Sequence, residues 1–296
     1  YVYDNAPANS DANQDGFKYF NSNAANNKIT VQAWVYLIGD NPGVKMPIVY
    51  RAVQGGTTFS LYVKDNKGYF SVGNSPVVST PEFPAFTWIS LTGSYDGTTL
   101  KIYNGGSLVQ SIPYTLTPGY TGGQGLFIGK SSEGAFKGLI DEVRIFNIAL
   151  GDNNINGSGG NGNPAEPFPS SIAQYSVGQW SFTEISSGNL LNDLSTKKNH
   201  LRITDINQIV PSKKPNLFVV NSVGDAPDLN PGDGVADAGN GMVTLRSAIQ
   251  ETNSLAGQQT IYFYITGTTP TIQPLTTLPS ITESVILDGT TQKGYA

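Results

Sequence analysis

Gly138-Leu139-Ile140-Asp141-Glu142-Val143-Arg144-Ile145-Phe146-Asn147-Ile148-Ala149-Leu150 is the run on which the reading of this chain turns. It holds the last of a series of short strands separated by turns. Working back toward the N-terminus, Gly125–Gly129, Leu108–Ile112, Leu100–Tyr103 and Thr87–Tyr95 read as strands. Asp96-Gly97 and Asn104-Gly105-Gly106 supply the positive φ that tight hairpins need. Tyr69–Val72 and Phe59–Val63 flank a hairpin turn at Asp65-Asn66-Lys67-Gly68. Ile29–Leu37 (ITVQAWVYL) places apolar residues at alternate positions, as a strand with one buried face does. Residues 1–27 are rich in Asn, Asp and Ala, with aromatics at Phe17 and Tyr19.

Composition agrees with an all-β chain. Gly, Asn, Ser and Thr dominate the polar positions, charged residues make up 13%, and the helix-favouring Glu, Lys and Arg are scarce. The 28 Tyr and Phe residues (15 and 13) are enough for a sizeable core, which excludes a disordered chain. A formal net charge of -5 repels phosphate backbones and argues against nucleic acid as a partner. The absence of Cys excludes thiol and zinc-thiolate chemistry and is compatible with export of a large β-sandwich. No apolar run reaches the ~18 residues needed to span a bilayer, and no signal peptide is visible.

Downstream, GDNNINGSGGNGNPAEPFPS (151–170) reads as a flexible insertion that buries nothing. Ordered segments follow at Val177–Glu184 and Leu190–Ile203, then a Pro- and Lys-containing linker at 209–216. The texture changes at Leu217. Phe218–Asn221 reads as a strand, 224–242 as an Asp/Gly/Pro loop, and Thr244–Leu255 as the one helix, N-capped by Thr244, with Leu245, Ala248 and Ile249 on one face. Thr260–Ile265, Thr271–Leu278 and Ser284–Leu287 recur at similar intervals and suggest stacked rungs of a solenoid. So short a solenoid leaves an open end, so the natural chain is expected to continue beyond Ala296.

The run that opens this section, with Trp88, Tyr95-Asp96-Gly97, Leu100-Lys101-Ile102-Tyr103-Asn104-Gly105 and Phe127-Ile128-Gly129, resembles the laminin-G-like/concanavalin-A-like lectin family. Ala33-Trp34-Val35 resembles that family's early core strand. Gln179-Trp180-Ser181-Phe182-Thr183-Glu184, with Asp193-Leu194-Ser195 and Asn199-His200, is similar to a segment that usually opens the domain, although Lys197 and Leu201 stand where the family has Gly. This segment either closes the sandwich begun at residue 1 or starts a second, truncated one. The roughly 30 residues that follow are too few for a second sandwich, which favours closure. Phe218–Ser222, Pro231-Gly232-Asp233-Gly234 and Thr244-Leu245-Arg246-Ser247-Ala248-Ile249-Gln250-Glu251-Thr252-Asn253 resemble the opening of right-handed parallel β-helix surface proteins. Ala236 and Val243 replace that pattern's two cysteines. The resemblances imply a jelly-roll β-sandwich over 1–208, with a closing segment at 177–205. The start of a parallel β-helix with one capping helix would follow over 217–296.

The first resemblance implies a structural Ca²⁺, with Asp141, Asp193 and Asn199 as ligands, because this hard cation takes carboxylate and amide oxygens. The bland alternative has Asp193 and Asn199 capping a turn and Asp141 paired with Arg144. Asp225, Asp228, Asp233 and Asp237 form a second carboxylate cluster, read either as a cation site or as a solvated turn. Trp34, Trp88 and Trp180 are expected in the core. Tyr50, Tyr69, Phe86 and Tyr120, near turns, are candidates to stack on a sugar ring. His200 is the only histidine, and no G-x-S-x-G, H-E-x-x-H or phosphate-binding glycine loop occurs. Arg246 is expected to hydrogen-bond loop carbonyls or pair with a nearby Asp.

The expected function is a non-catalytic extracellular adhesion or recognition module of a large bacterial cell-surface protein. Its partner would be a glycan or a cell-surface or matrix ligand, and the resemblance extends to adhesins used in gliding motility. The alternatives are a carbohydrate-binding accessory region of a β-helix polysaccharide-degrading enzyme, or a structural stalk spacer.

Overall fold

The computed structural model describes residues 2–3, 28–40, 42–53, 56–73, 75–115, 123–131, 134–156, 169–182, 185–186, 190–197, 199–203 and 217–295. The chain divides into two compact units: residues 1–37 with 41–210, and 211–296 with 38–40.

The first unit is built of antiparallel strands. In chain order these are β1 (Val2–Tyr3), β2 (Ile29–Leu37), β3 (Met46–Val53), β4 (Gly56–Lys64), β5 (Lys67–Val72) and β6 (Val78–Ser79). There follow β7 (Trp88–Tyr95), β8 (Thr99–Asn104), β9 (Ser107–Pro113), β10 (Gly123–Ile128), β11 (Lys130–Ser131), β12 (Gly134–Ala135) and β13 (Gly138–Phe146). Two short helices, α1 (Asp152–Asn156) and α2 (Ser170–Ala173), precede β14 (Ser176–Trp180), β15 (Ile185–Ser186), β16 (Leu190–Leu191) and β17 (Leu201–Ile203). One sheet has the order β14-β13-β2-β7-β8-β9, the other β15-β16-β17-β1-β10-β3-β4-β5-β6, and β11 and β12 pair with each other. The 176–203 stretch contributes to both large sheets: β14 runs along β13, and β17 pairs with β1.

Alternation explains the core. Val31, Ala33, Val35 and Leu37 of β2 point to one face and are fully buried, as are Leu91 of β7, Ile102 of β8, and Phe59, Leu61 and Val63 of β4. The two sheets interdigitate there. A Cβ placed on Gly93 of β7 would lie 2.1 Å from the Phe70 ring of β5, and one on Gly178 of β14 would lie 2.1 Å from the Trp180 ring. Both positions must lack a side chain because an aromatic ring fills the space.

Three details differ from the sequence reading. The first hairpin turns on Asp65-Asn66 alone, with φ of 51° and 53°, while Lys64 pairs with Lys67. Asx residues tolerate that left-handed pair, so Lys67 and Gly68 remain in β5. Strand β3 was not anticipated, because Pro47 interrupts its pattern. The insertion at 151–170 does bury a residue. Ile155 of α1 is 1% exposed and joins Tyr103, Phe146 and Leu150 in a satellite core on the far side of the six-stranded sheet. Residues 157–168 of that insertion lie outside the described residues.

The second unit holds three parallel strands, β18 (Leu217–Val220), β19 (Gln259–Phe263) and β20 (Val285–Asp288), and the helix α3 (Leu245–Asn253). Its core joins Phe218, Val220, Ala236, Ala248, Ile249, Ile261 and Ile265. Thr244 caps α3: its side chain accepts from Ser247 N, and the Ser247 hydroxyl accepts from Thr244 N. Residues 271–278 form no strand. Their backbone is instead engaged by Arg246 and Asp225, with Arg246 donating to the carbonyls of Thr276 and Thr277 and Leu275 N donating to Asp225.

Candidate functional site

The alternation that buries one face of β2 turns Thr30, Gln32, Trp34 and Tyr36 to the other. Their partners across β7 are Ser94, Thr92, Ser90 and Trp88. The Thr30 and Ser94 hydroxyls lie 3.3 Å apart, as this shared face requires. On β13, Leu139, Asp141, Arg144 and Phe146 pair with Tyr36, Trp34, Gln32 and Thr30, and Gln179 of β14 pairs with Arg144. Outside the sandwich, the six-stranded sheet therefore carries a graded surface.

At one end of this surface, Phe146 and Tyr103 are covered by residues 150–155. The Tyr103 hydroxyl donates to Asp152 (2.7 Å), which also pairs with Lys101 at 3.3 Å. The Tyr103 hydrogen bond, with the Lys101 charge, holds the Asp152 carboxyl below the usual range. Burial, reinforced by Asp152, pushes the Tyr103 phenol up. At the other end, Tyr36 lies 5.5 Å from Trp88 and 6.2 Å from Phe86 between ring centroids, and Trp88 is 37% exposed.

Between the two ends lies a polar middle. Gln32, Ser90, Thr92 and Arg144 are all at most 2% exposed. Besides two guanidinium nitrogens of Arg144, Nε and Nη1, four uncharged side-chain atoms here are out of water with no hydrogen-bond partner among the described residues: Gln32 Oε1, Trp34 Nε1, Ser90 Oγ and Thr92 Oγ1. Leaving a buried polar group unpaired costs roughly 1–3 kcal/mol, so proteins rarely gather several on one face. They comprise one donor, one acceptor and two hydroxyls that serve as either.

A bulge on β13 completes the site. The register of β13 on β2 shifts between Asp141 and Arg144, and Glu142 has a φ of 48°. In an unbroken strand residue 142 would point to the core, opposite Asp141. The bulge instead lets Glu142 reach the outer face, where it accepts from Arg144 Nη2 at 3.0 Å. Burial pushes the Glu142 carboxyl above its usual range, opposed by the Arg144 charge. Burial does the same to Asp141, opposed by the Glu142 backbone N–H and by Arg144. The pairing of Arg144 is therefore with Glu142. Phe86, also on this surface, has a φ of 57°, a left-handed backbone that bulky residues rarely adopt and that recurs at ligand sites.

The three residues implied as Ca²⁺ ligands are arranged for another task. Asp193 is 1% exposed, and its carboxylate accepts four hydrogen bonds. Gln179 N and Ser195 N donate to Oδ1; Ser195 Oγ and Asn199 N donate to Oδ2. These use both lone pairs of each oxygen. Asn199 spends its side-chain NH₂ on Val177 O, and its own carbonyl accepts from Trp180 Nε1. Asp141 sits opposite Trp34, across the register shift from Arg144, whereas Asp193 grips Gln179, the partner of Arg144. This set does not fit an ion that requires about 6–8 free oxygen ligands. Asp193 pins the 193–199 loop to β14, and His200 Nδ1 accepts from Asp193 N.

The second carboxylate cluster is likewise dispersed. Asp225 makes a two-toothed pair with Arg246 (2.8 and 3.0 Å), whose hydrogen bonds hold its carboxyl below the usual range. Asp233 and Asp237 each accept from the backbone N–H two residues on. Asp228 accepts from Asn230 N, and burial, with Glu251 and Asp233 nearby, pushes its carboxyl up. Among the described residues no three His, Cys, Asp or Glu side chains converge as a metal site.

Of the three tryptophans, only Trp180 is fully buried in the core. Trp34 and Trp88 lie on the outer face, where the polar phase of β2 and β7 places them. That phase was the available signal: in ITVQAWVYL every second residue from Ile29 is apolar, so Trp34 belongs with Thr30 and Gln32. The aromatic candidates are not brought together. Phe86 joins the outer face, whereas Tyr50 lies on the other sheet, 6.4 Å from Phe127. Tyr69 stacks on Tyr62 at 5.0 Å, and Tyr120 lies outside the described residues.

No curated protein matches the chain. Among solved structures it is similar to a protein from Bacteroides ovatus assigned to carbohydrate binding. That match has 16% identity and a TM-score of 0.43, and covers 56% of this chain and 49% of that one. The chain thus spans about half the length of that structure. It is also similar to a heptameric SAP-like pentraxin from Limulus polyphemus (18% identity, TM-score 0.40, 49% and 75% covered). A third is the Ruminococcus gnavus sialidase module CBM40, bound to α2,3-sialyllactose (14% identity, TM-score 0.38, 43% and 79% covered). A family model described as the Concanavalin A-like lectin/glucanases superfamily matches residues 11–156. Those residues carry a concanavalin A-like lectin domain.

Proposed function

We propose that this chain is a non-catalytic recognition module, displayed outside a bacterial cell, and that the outer face of its six-stranded sheet binds glycan. The observation that carries the proposal is the exposed Trp88 with its neighbour Tyr36, set at one end of a face whose buried middle holds polar atoms of Gln32, Trp34, Ser90 and Thr92 that have no hydrogen-bond partner among the described residues. Sugar sites join an aromatic platform, which packs on the apolar face of a pyranose, to a few fixed polar groups that bond its hydroxyls. The lectin-like family of residues 11–156 supports the same reading. The three parallel strands with α3 are read as the start of a parallel β-helix stalk. Display outside the cell rests on composition, with no Cys and 13% charged residues.

A glycan array probed with the whole chain tests this. Binding to a defined glycan set is expected, and Trp88→Ala should weaken it by roughly tenfold while the circular-dichroism spectrum stays unchanged, because Trp88 is on the surface. Retained binding by that variant would move the site elsewhere. Silence of the native chain across a broad array would remove the glycan reading.

A further inference from the structure

Resting on the glycan reading of the outer face, we infer that this face holds a single sugar-stacking subsite, at Trp88, and takes a soluble or terminal saccharide unit rather than the flat surface of a crystalline polysaccharide. Among the aromatic residues of the six strands, Trp88 alone is exposed, at 37%. Tyr95, Tyr103, Phe146 and Trp180 are at most 1% exposed, and Trp34 and Tyr36 are half-buried. A pyranose packs its apolar face against the flat face of a ring, so a ring sunk in the sheet gives it no platform.

The neighbouring rings do not extend that platform. Tyr36, the cross-strand partner of Trp88, is tilted 53° from it at 5.5 Å between centroids, and Phe86 stands at 78° to Tyr36 at 6.2 Å. Rings so tilted cannot lie against one plane, whereas successive sugars of a flat, ribbon-like chain share one. The backbone beneath them is held. Tyr36 pairs with Trp88 on one side and Leu139 on the other, and Phe86 N donates to Leu37 O at 2.9 Å. The rings are therefore not carried on a loop that could swing them into line. The far end of the face supplies no second platform, because Phe146 and Tyr103 lie under residues 150–155. A chain lying along the face meets one exposed ring and then the buried polar middle.

Two measurements on the full chain test this: calorimetric titration with soluble oligosaccharides of one to six units, from the glucan, galactan, mannan, xylan and N-acetylglucosamine series, and co-sedimentation with particles of microcrystalline cellulose and chitin. In any series that binds, affinity is expected to rise by less than about threefold beyond the second unit, because no further ring is there to stack. Trp88→Ala should weaken every length by a similar factor, roughly tenfold, since each uses the same ring. Neither particle should retain the native chain. A larger rise with length, a loss confined to the longer members, or retention on either particle would overturn the inference while leaving the glycan reading intact. Binding of no oligosaccharide and no particle would remove the glycan reading and this inference together.

Discussion

At the scale of single residues, the chain shows how one carboxylate can be read in two ways. Asp193 and Asn199 stand close, as a ligand pair would, but Asn199 N donates to Asp193 at 2.7 Å and three further donors fill the remaining lone pairs. Asp193→Ala should therefore destabilise the first unit by roughly 2–4 kcal/mol in urea unfolding, because it strands several buried N–H groups. Chelation with EDTA should leave the melting temperature of the native chain unchanged, and a fall of several degrees would show that an ion takes part. Asp228 offers a pH test. Burial raises its carboxyl pKa in the folded chain, so the native state holds this proton to higher pH than the unfolded state does. Its contribution is then lost as pH rises from the ordinary carboxylate value through the raised one. Asp228→Asn, which keeps an acceptor for Asn230 N, should raise the melting temperature at pH 7, with the gain shrinking toward pH 4. A loss at pH 7 would mean that the charged form is required.

At the scale of elements, β2 and the hairpins were legible because alternation and turn chemistry are local. Ile29–Leu37 matches the expected strand at both ends, and Thr244 caps α3 as its hydroxyl and the following apolar face predict. What was not legible depends on partners distant in sequence. The bulge at Glu142 is set by the pairing of β13 with β2, and no residue type in IDEVRI announces it. Strand β3 was hidden by Pro47, and 271–278 resembled a rung by spacing although its backbone is tied to Arg246. Gly178 is likewise explained only by the ring it faces. Gly178→Ala should lower the melting temperature strongly, by an overpacking penalty of roughly 1–3 kcal/mol or more, since its Cβ would enter the Trp180 ring. A neutral result would mean that β14 can shift away from β13.

At the scale of the whole molecule, two units emerge, the first of antiparallel strands and the second of three parallel strands with α3, each with its own core. The sandwich was legible from the run at 138–150 because its motif covers several strands. The binding face was not, because an orphaned polar atom exists only once the sheet is assembled. Gln32, Ser90 and Thr92 look like ordinary strand residues in the sequence and become a site by register. The account stands on the claim that these atoms serve a ligand rather than the fold. Thr92→Val, nearly equal in shape, separates the two. Unfolding stability and glycan affinity measured on the same preparation should show stability unchanged or slightly raised and affinity reduced about tenfold. A loss of about 1 kcal/mol or more in stability with affinity intact would contradict it.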